Sequence, residues 1–99
     1  MKIYKDKELT QEIDGNILDG GIVDAGETKI VTFYVQNDSS AILQDLKFAV
    51  DDKEIEIIEA PIELQKLESK KLVIKAIADV NIEKRIEGRI KITGKKLWE

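Results

Sequence analysis

The sequence contains no cysteine and no histidine. Without cysteine the fold has no disulfides, and thiol chemistry and zinc sites built on thiolates are excluded. Without histidine the chain lacks the commonest general base, the commonest metal ligand and the usual partner of a serine nucleophile. The groups that remain for such chemistry are carboxylates, lysines, three serines and two tyrosines. Carboxylate pairs could carry out acid–base catalysis, but a solvated surface is their more ordinary role. We predict a protein that is not an enzyme.

Long apolar runs and blocks of one charge are also lacking. No apolar segment approaches the ~18 residues of a membrane helix, and Met1 to Leu9 has no apolar core of a signal peptide. The 16 basic and 20 acidic side chains are interspersed and give a net charge of −4. Since there is no basic patch to neutralise phosphates, we expect neither a nucleic-acid partner nor a membrane partner.

Alternation of apolar and polar residues is present along most of the chain, and it indicates β-strands. In residues 86–93 the apolar row is Ile86, Ile90 and Ile92, with charged residues between them. Residues 28–36 carry apolar side chains on both faces, which predicts a central strand. Shorter alternating runs cover residues 45–50, 54–58 and 71–76.

Turn residues separate these runs. They predict a loop at residues 37–40, a hairpin at 51–53, the end of a ladder at Pro61, and turns at 14–16 and 19–21. A helical turn near residues 79–84 is the one alternative to strand and loop. Short strands with regular turns in 99 residues predict one all-β domain, an immunoglobulin-like antiparallel β-sandwich of about seven strands.

The N-terminal segment, residues 1–13, is predicted to be either a free arm or an edge strand of a sandwich formed by residues 14–99. A free arm would expose apolar side chains that could add a strand to the sheet of another protein. An edge strand would instead bury them partly under the domain. The candidate partner-binding residues of this segment are Ile3, Tyr4, Leu9 and Ile13.

Near the other end of the chain, Leu97 and Trp98 form a second candidate for partner binding. Trp98 is the only tryptophan. It is either a lid on the end of the sandwich or an exposed anchor for a protein partner, because a buried tryptophan at an interface contributes a large part of the binding energy. Both interpretations remain open from the sequence.

The cluster Asp14, Asn16, Asp19 and Asp24, with glycines nearby, is a candidate calcium site. It does not meet the spacing of an EF-hand loop, since Leu18 falls where a third ligand is needed. Asp, Asn and Gly are also the residues preferred in turns. We therefore expect no metal ion and no other cofactor.

The order of these motifs resembles the immunoglobulin-like domains of the ASPM/SPD-2/Hydin and major-sperm-protein group. Residues 18–27, LDGGIVDAGE, resemble the "l-D-f-G-x-v-x-x-G-e" opening of that group, and NDSS at 37–40 is similar to its "N-x-g/s" loop. PIELQKLES at 61–69 resembles "p-x-x-l-x-P-g-e-s", and EGRIKI at 87–92 resembles the closing "G-x-i-x-i" strand. The resemblance covers residues 18–94 and implies a sandwich fold.

A bare domain of this size also looks like the small virion proteins of tailed bacteriophages, some of which decorate the capsid. This likeness implies a structural protein in many copies on the virion, with the major capsid protein as its partner and self-association on the assembly. The alternative is a cytoplasmic adaptor or scaffold domain that binds a cellular protein.

Overall fold

The computed structural model describes residues 1–98, and the predicted all-β fold is confirmed. Within these residues there are seven strands and no helix, and residues 80–81 form a turn where a helical turn was the alternative. The strands are β1 (Lys2–Tyr4), β2 (Ile17–Val23), β3 (Thr28–Gln36), β4 (Ile42–Val50), β5 (Ile55–Glu59), β6 (Ser69–Ile77) and β7 (Lys84–Leu97). Glu99, the last residue of the predicted domain 14–99, lies outside the described residues.

The strands form two antiparallel sheets whose inner faces pack against each other as a sandwich. One sheet has the order β1-β3-β6-β5 and the other β2-β7-β4. The apolar row predicted for β7 points inward, as do Phe33 of β3 and Ile74 of β6, and Phe33, Ile74, Ile86 and Ile90 are at most 1% exposed. The alternation therefore decided which face of each strand enters the core, because burial of apolar area is the main favourable term in folding.

The strand order has one feature that bears on function. Constant-type immunoglobulin domains have sheets ABED and CFG. In this chain β1, β3, β4, β5, β6 and β7 take the places of A to F in that order. The seventh place, beside the F strand, is taken by β2 instead of a C-terminal strand. Because β2 has only 7 residues and β7 has 14, β2 can cover only part of β7.

Two turn predictions were wrong. Residues 51–53 do not close a hairpin, since β4 pairs with β7 and β5 pairs with β6, in different sheets. Residues 19–21 lie within β2, where they form a β-bulge opposite β7. A Cβ on Gly20 would lie 2.9 Å from Cγ2 of Ile86, so glycine there allows the two strands to approach.

The predicted loop at residues 37–40 is present, and a buried side chain holds it in place. Asn37 is fully buried, and its Nδ2 donates hydrogen bonds to the carbonyl oxygens of Ala41 (2.7 Å) and Gln65 (3.0 Å). Its Oδ1 accepts from the backbone N–H of Ser39 at 3.0 Å. This amide therefore joins the start of β4 to the long loop before β6, and both lie at the same end of the sandwich as the end of β7.

The N-terminal segment packs on the domain, with β1 as an edge strand beside the end of β3. Ile3 faces Val35 in register, and the backbone N–H of Ile13 donates to the Ile3 carbonyl at 2.9 Å. Residues 11–13 thus lie along the outer side of β1. Of the two alternatives for residues 1–13, the structure shows the edge strand.

Candidate binding edge at the C-terminal half of β7

One side of the C-terminal half of β7 has no neighbouring strand in the described part of the chain. The ladder between β2 and β7 runs from Val23–Lys84 to Ile17–Arg89, and β4 pairs with β7 from Ile90 to Leu97 on the opposite side. Beyond Ile90, therefore, β7 is paired on the β4 side only within the described residues. We call residues 91–97 together with Trp98 the C-terminal edge.

Hydrogen bonds show which backbone groups face the open side. The N–H of Asp51 donates to the carbonyl of Arg89 at 3.1 Å, so Arg89 faces the β4 side. The N–H of Ile90 instead donates to Asn16 at 2.7 Å, on the β2 side. Since directions alternate along a strand, odd-numbered residues of β7 face β4, and Ile92, Gly94 and Lys96 direct their N–H and C=O groups to the open side.

The β4 strand supports the same assignment beyond its bulge. Leu43 exchanges both backbone hydrogen bonds with Leu64, each at 2.9 Å, so Leu43 faces away from β7. Its neighbours Ile42 and Gln44 must then face β7, where they pair with Leu97 and Lys95. The backbone groups of odd-numbered residues thus face β4 through the whole C-terminal edge.

A glycine lies where β4 bulges toward the edge. The β4–β7 register shifts between Gln44 and Lys47, and Asp45 within this bulge has φ of 51°. Gly94 lies opposite, and a Cβ on it would meet Cδ2 of Leu46 at 2.8 Å and the Gln44 carbonyl oxygen at 3.0 Å. Gly94 therefore has no side chain because β4 occupies the space that a Cβ would need.

Apolar side chains lie beside Gly94 on both faces of the two-stranded ribbon formed by β4 and β7. An open groove of about 340 Å³ is lined by Met1, Asn16, Leu43, Leu46, Ile92, Thr93, Gly94 and Lys96. A second, of about 620 Å³, is lined by Asp45, Leu46, Lys47, Ile62, Thr93, Gly94 and Lys95. At the end of the strand Leu97 is 48% exposed and Trp98 is 60% exposed. Exposed apolar side chains also occur elsewhere on the domain, so Leu97 and Trp98 are distinguished by their position beside the open strand edge.

The charge of the C-terminal edge is of one sign. Its ionisable side chains are Lys91, Lys95 and Lys96, and residues 91–98 contain no acidic residue. Lys95 has a long ion pair to Asp45, with Nζ 3.6 Å from Oδ2. The Nζ of Lys96 lies 5.7 Å from the ring centroid of Trp98, within the range of a cation–π contact. This edge thus combines unpaired backbone groups, an exposed tryptophan and positive charge.

The predicted partner-binding residues divide into two groups. Ile3, Tyr4 and Ile13 are buried and Leu9 is half-buried, so this group belongs to the packed side of the domain. Leu97 and Trp98 lie together at the end of β7 and are exposed, and the lid interpretation of Trp98 is not what the structure shows. Sequence reasoning missed Ile92, Gly94 and Lys96, because no residue pattern indicates that β2 ends halfway along β7.

The charged residues at the opposite end of the sandwich have a structural role. Lys84, the first residue of β7, places its Nζ 2.6 Å from Asp52 Oδ2 and 3.8 Å from Glu54 Oε1. The hydrogen bond from Lys84 lowers the pKa of Asp52, and the same bond raises the pKa of Lys84. This pair fixes the β4–β5 connection to the start of β7.

The residues considered for calcium are engaged in turn and bulge contacts. Asp19 accepts from the N–H of Gly21 at 3.1 Å through Oδ1 and from Arg85 at 3.2 Å through Oδ2. The Gly21 hydrogen bond is the main cause of the lowered pKa of Asp19, with the Arg85 contact adding to it. In residues 1–98 no three acidic side chains are grouped closely enough to hold a metal ion.

Comparison with protein-family models, with curated proteins and with solved structures gave no match. The resemblance to the ASPM/SPD-2/Hydin and major-sperm-protein group therefore depends on the sequence pattern alone. No helix in the described residues is long and apolar enough to cross a membrane.

Proposed function

We propose that this chain is a non-catalytic structural protein that binds a protein partner through the C-terminal edge. The observation that carries the proposal is the exposure of Leu97 and Trp98 beside a strand edge that no other strand of the described residues covers. Aromatic anchors surrounded by polar residues are the usual centre of a protein interface. Lysines 91, 95 and 96 form such a polar surround here.

The assembly that we propose is a bacteriophage capsid, with the chain as a decoration protein in many copies on the major capsid protein. Support comes from the small sandwich architecture and from its likeness to tailed-phage virion proteins. One protruding edge on a compact domain suits attachment to a repeated lattice, because avidity makes weak single contacts sufficient. Location in the virion follows from this proposal.

The test compares three forms of the tagged chain in lysates of the source and on purified particles. The edge variant carries Leu97→Ser and Trp98→Ser. The matched control carries Val80→Ser and Ile82→Ser at the opposite end, where the native side chains are 77% and 65% exposed. Captured proteins are identified by mass spectrometry, and the copy number per particle is measured.

We expect the wild type and the control to retain a capsid protein at high copy, and the edge variant to lose it. Capture of one low-copy cellular protein would replace the virion proposal with the adaptor alternative. Equal capture by all three forms would show that the C-terminal edge is not the binding surface.

A further inference from the structure

We propose that the C-terminal edge binds an extended acidic segment of the partner as an added β-strand, antiparallel to β7 and in line with β2. This inference depends on the proposed function and specifies its mode of recognition. Strand addition uses main-chain hydrogen bonds for affinity and alternate side-chain sites for specificity.

The backbone of the C-terminal edge is arranged for such an addition. Ile92, Gly94 and Lys96 present N–H and C=O groups on the side where β2 would continue if it extended past Asn16. Residues 91–97 are paired with β4 on their other side, so the edge is already held in strand conformation. The open length corresponds to roughly 23 Å of strand at about 3.3 Å per residue, enough for a segment of about seven residues.

The side-chain surroundings specify what the segment must look like. An added strand places every second side chain toward the sandwich, and the groove there is lined by Leu43, Leu46 and Ile92. Its edge nearest to β2 is bounded by Met1 and Asn16. Small or medium apolar residues at alternate positions of the partner segment would therefore be buried in this groove, next to Gly94.

The remaining side chains of the segment meet positive charge. Lys91 and Lys95 lie on one face of the C-terminal edge and Lys96 on the other, and no acidic residue of β7 follows Glu87 within the described part of the chain. Unlike charges across neighbouring strands are favourable, and like charges directly opposite are unfavourable. An acidic segment is thus matched to this edge, and a basic one is opposed by it.

A second copy of the chain is a poorer occupant. Two C-terminal edges paired with each other would bring six lysines together, and edge lysines are a device that discourages such pairing. The acidic edge strand β5 has a bulge between Ile57 and Glu59, which interrupts its ladder. Two carboxylates in or next to β5 already face cations. Glu54, just before the strand, is 3.8 Å from Lys84, and Glu56 lies opposite Lys75.

The experiment titrates the isotopically labelled full chain with synthetic peptides and follows binding by NMR. The first peptide alternates valine and glutamate over about seven residues, the length that the open edge accommodates. A second peptide replaces glutamate with lysine. Two further peptides carry N-methyl groups, one on all odd-numbered residues and the other on all even-numbered residues. Each of them therefore lacks the N–H donors along one side of the peptide strand only.

We expect the acidic peptide to shift the backbone amides of Ile92, Gly94 and Lys96 and to bind about tenfold more tightly than the basic peptide. One of the two N-methylated peptides should bind and the other should not, because an added strand uses only one of its edges. Equal binding by both N-methylated peptides, shifts confined to the opposite end of the sandwich, or no binding by the acidic peptide would each overturn the inference.

Two double variants test the role of charge. Lys95→Glu with Lys96→Glu should weaken binding of the acidic peptide about tenfold and should strengthen binding of the basic one. Lys7→Glu with Lys53→Glu makes the same charge change at exposed sites away from this edge, and the affinity should stay within about twofold. Equal effects of the two variants would show only a general attraction and would contradict the proposal.

The failure of this inference is distinguishable from failure of the proposed function. If the full chain retains a partner through Leu97 and Trp98 but the peptide results contradict strand addition, the partner binds the edge in another way. If the chain alone dimerises with rising concentration and Lys96→Pro prevents this, the occupant is a second copy, and the partner segment is excluded.

Discussion

The two halves of β7 differ in what lies beside them. In the first half, residues 84–90, Ile86 and Ile90 are 0% and 1% exposed, and β2 covers the side away from β4. In residues 91–97 only Ile92 is half-buried, and the side away from β4 has no neighbouring strand among residues 1–98. The same strand is therefore a core element for half of its length and a free edge for the other half.

This difference shows that exposure along a strand depends on its neighbours as well as on its own residues. The apolar row of β7 continues from Ile90 to Ile92 and then meets Gly94 and Lys96. That change of composition coincides with the end of β2. In the first half of β7, the effect of a substitution on stability should therefore depend on the polarity of the new side chain. In the second half, it should depend on whether the backbone N–H at that position faces β4 or the open side.

The largest effect is expected at Ile90. Replacement of Ile90 with Asp places a carboxylate in the core, and we expect a loss of more than about 4 kcal/mol in the free energy of unfolding, enough to unfold most of the domain. Arg89→Asp, one residue earlier on the exposed face, should change it by about 0.5 kcal/mol or less. Urea unfolding followed by circular dichroism measures both, and a damaging Arg89→Asp would show that the register of β7 is wrong.

Proline tests the second half of β7. Thr93→Pro removes an N–H that faces β4, opposite Lys47, and should cost about 3 kcal/mol. Lys96→Pro removes an N–H that faces the open side, where proline is tolerated in edge strands, and should cost about 1 kcal/mol. Thermal unfolding of the two variants gives the comparison. The reverse order would mean that the N–H of residue 96 faces β4 and not the open side.

Gly94 marks the point where β4 crowds the edge. Gly94→Ala should lower the free energy of unfolding by about 2 kcal/mol, because the new Cβ would lie 2.8 Å from Leu46 and close to the backbone of Gln44. Gly15 has nothing within 4 Å of its Cβ position but has φ of 56°, so Gly15→Ala tests conformational strain without crowding. A smaller effect at Gly94 than at Gly15 would contradict the close approach.

The smallest effect is expected from the ion pair at the start of β7. Asp52 has a lowered pKa, so its contribution is present above its ordinary value of 3.8 and is lost as the pH falls through the lower folded value. Lys84 has a raised pKa, so its contribution is present below 10.5 and is lost as the pH rises through the higher folded value. The pair therefore stabilises the domain between these limits.

Asp52→Asn should reduce the free energy of unfolding by about 1 kcal/mol near neutral pH, and the reduction should disappear near pH 2. Urea unfolding at several pH values measures this dependence. A reduction of the same size at low and neutral pH would show that the negative charge of Asp52 is not the cause.

Much of the fold follows from local pattern. The inward row of β7 was predicted because alternation identifies the buried face directly, as at Ile86 and Ile90. For β3, whose two faces both carry apolar residues, the prediction was a central strand, and β3 does lie between β1 and β6. The strand break at Pro61 follows from its missing N–H, and β5 does end at Glu59.

Features that depend on distant neighbours were not predictable. A polar turn such as residues 51–53 can either close a hairpin or connect strands of different sheets. The turn residues alone therefore do not show which sheet β5 joins. Asn37 resembles any loop asparagine in sequence, yet its amide is buried against carbonyl groups far along the chain. The C-terminal edge arises from the length of β2 relative to β7, and no single residue encodes that relation.

Native-state amide hydrogen exchange of the full chain tests the open edge most directly. If residues 91–97 are paired on one side only, the amides of Lys91, Thr93 and Lys95 exchange slowly while those of Ile92, Gly94 and Lys96 exchange rapidly. Ile86 and Ile90, in the covered half, should both be protected. Uniform protection of residues 91–97 would mean that both sides are paired, and would contradict the account of this edge as a free binding surface.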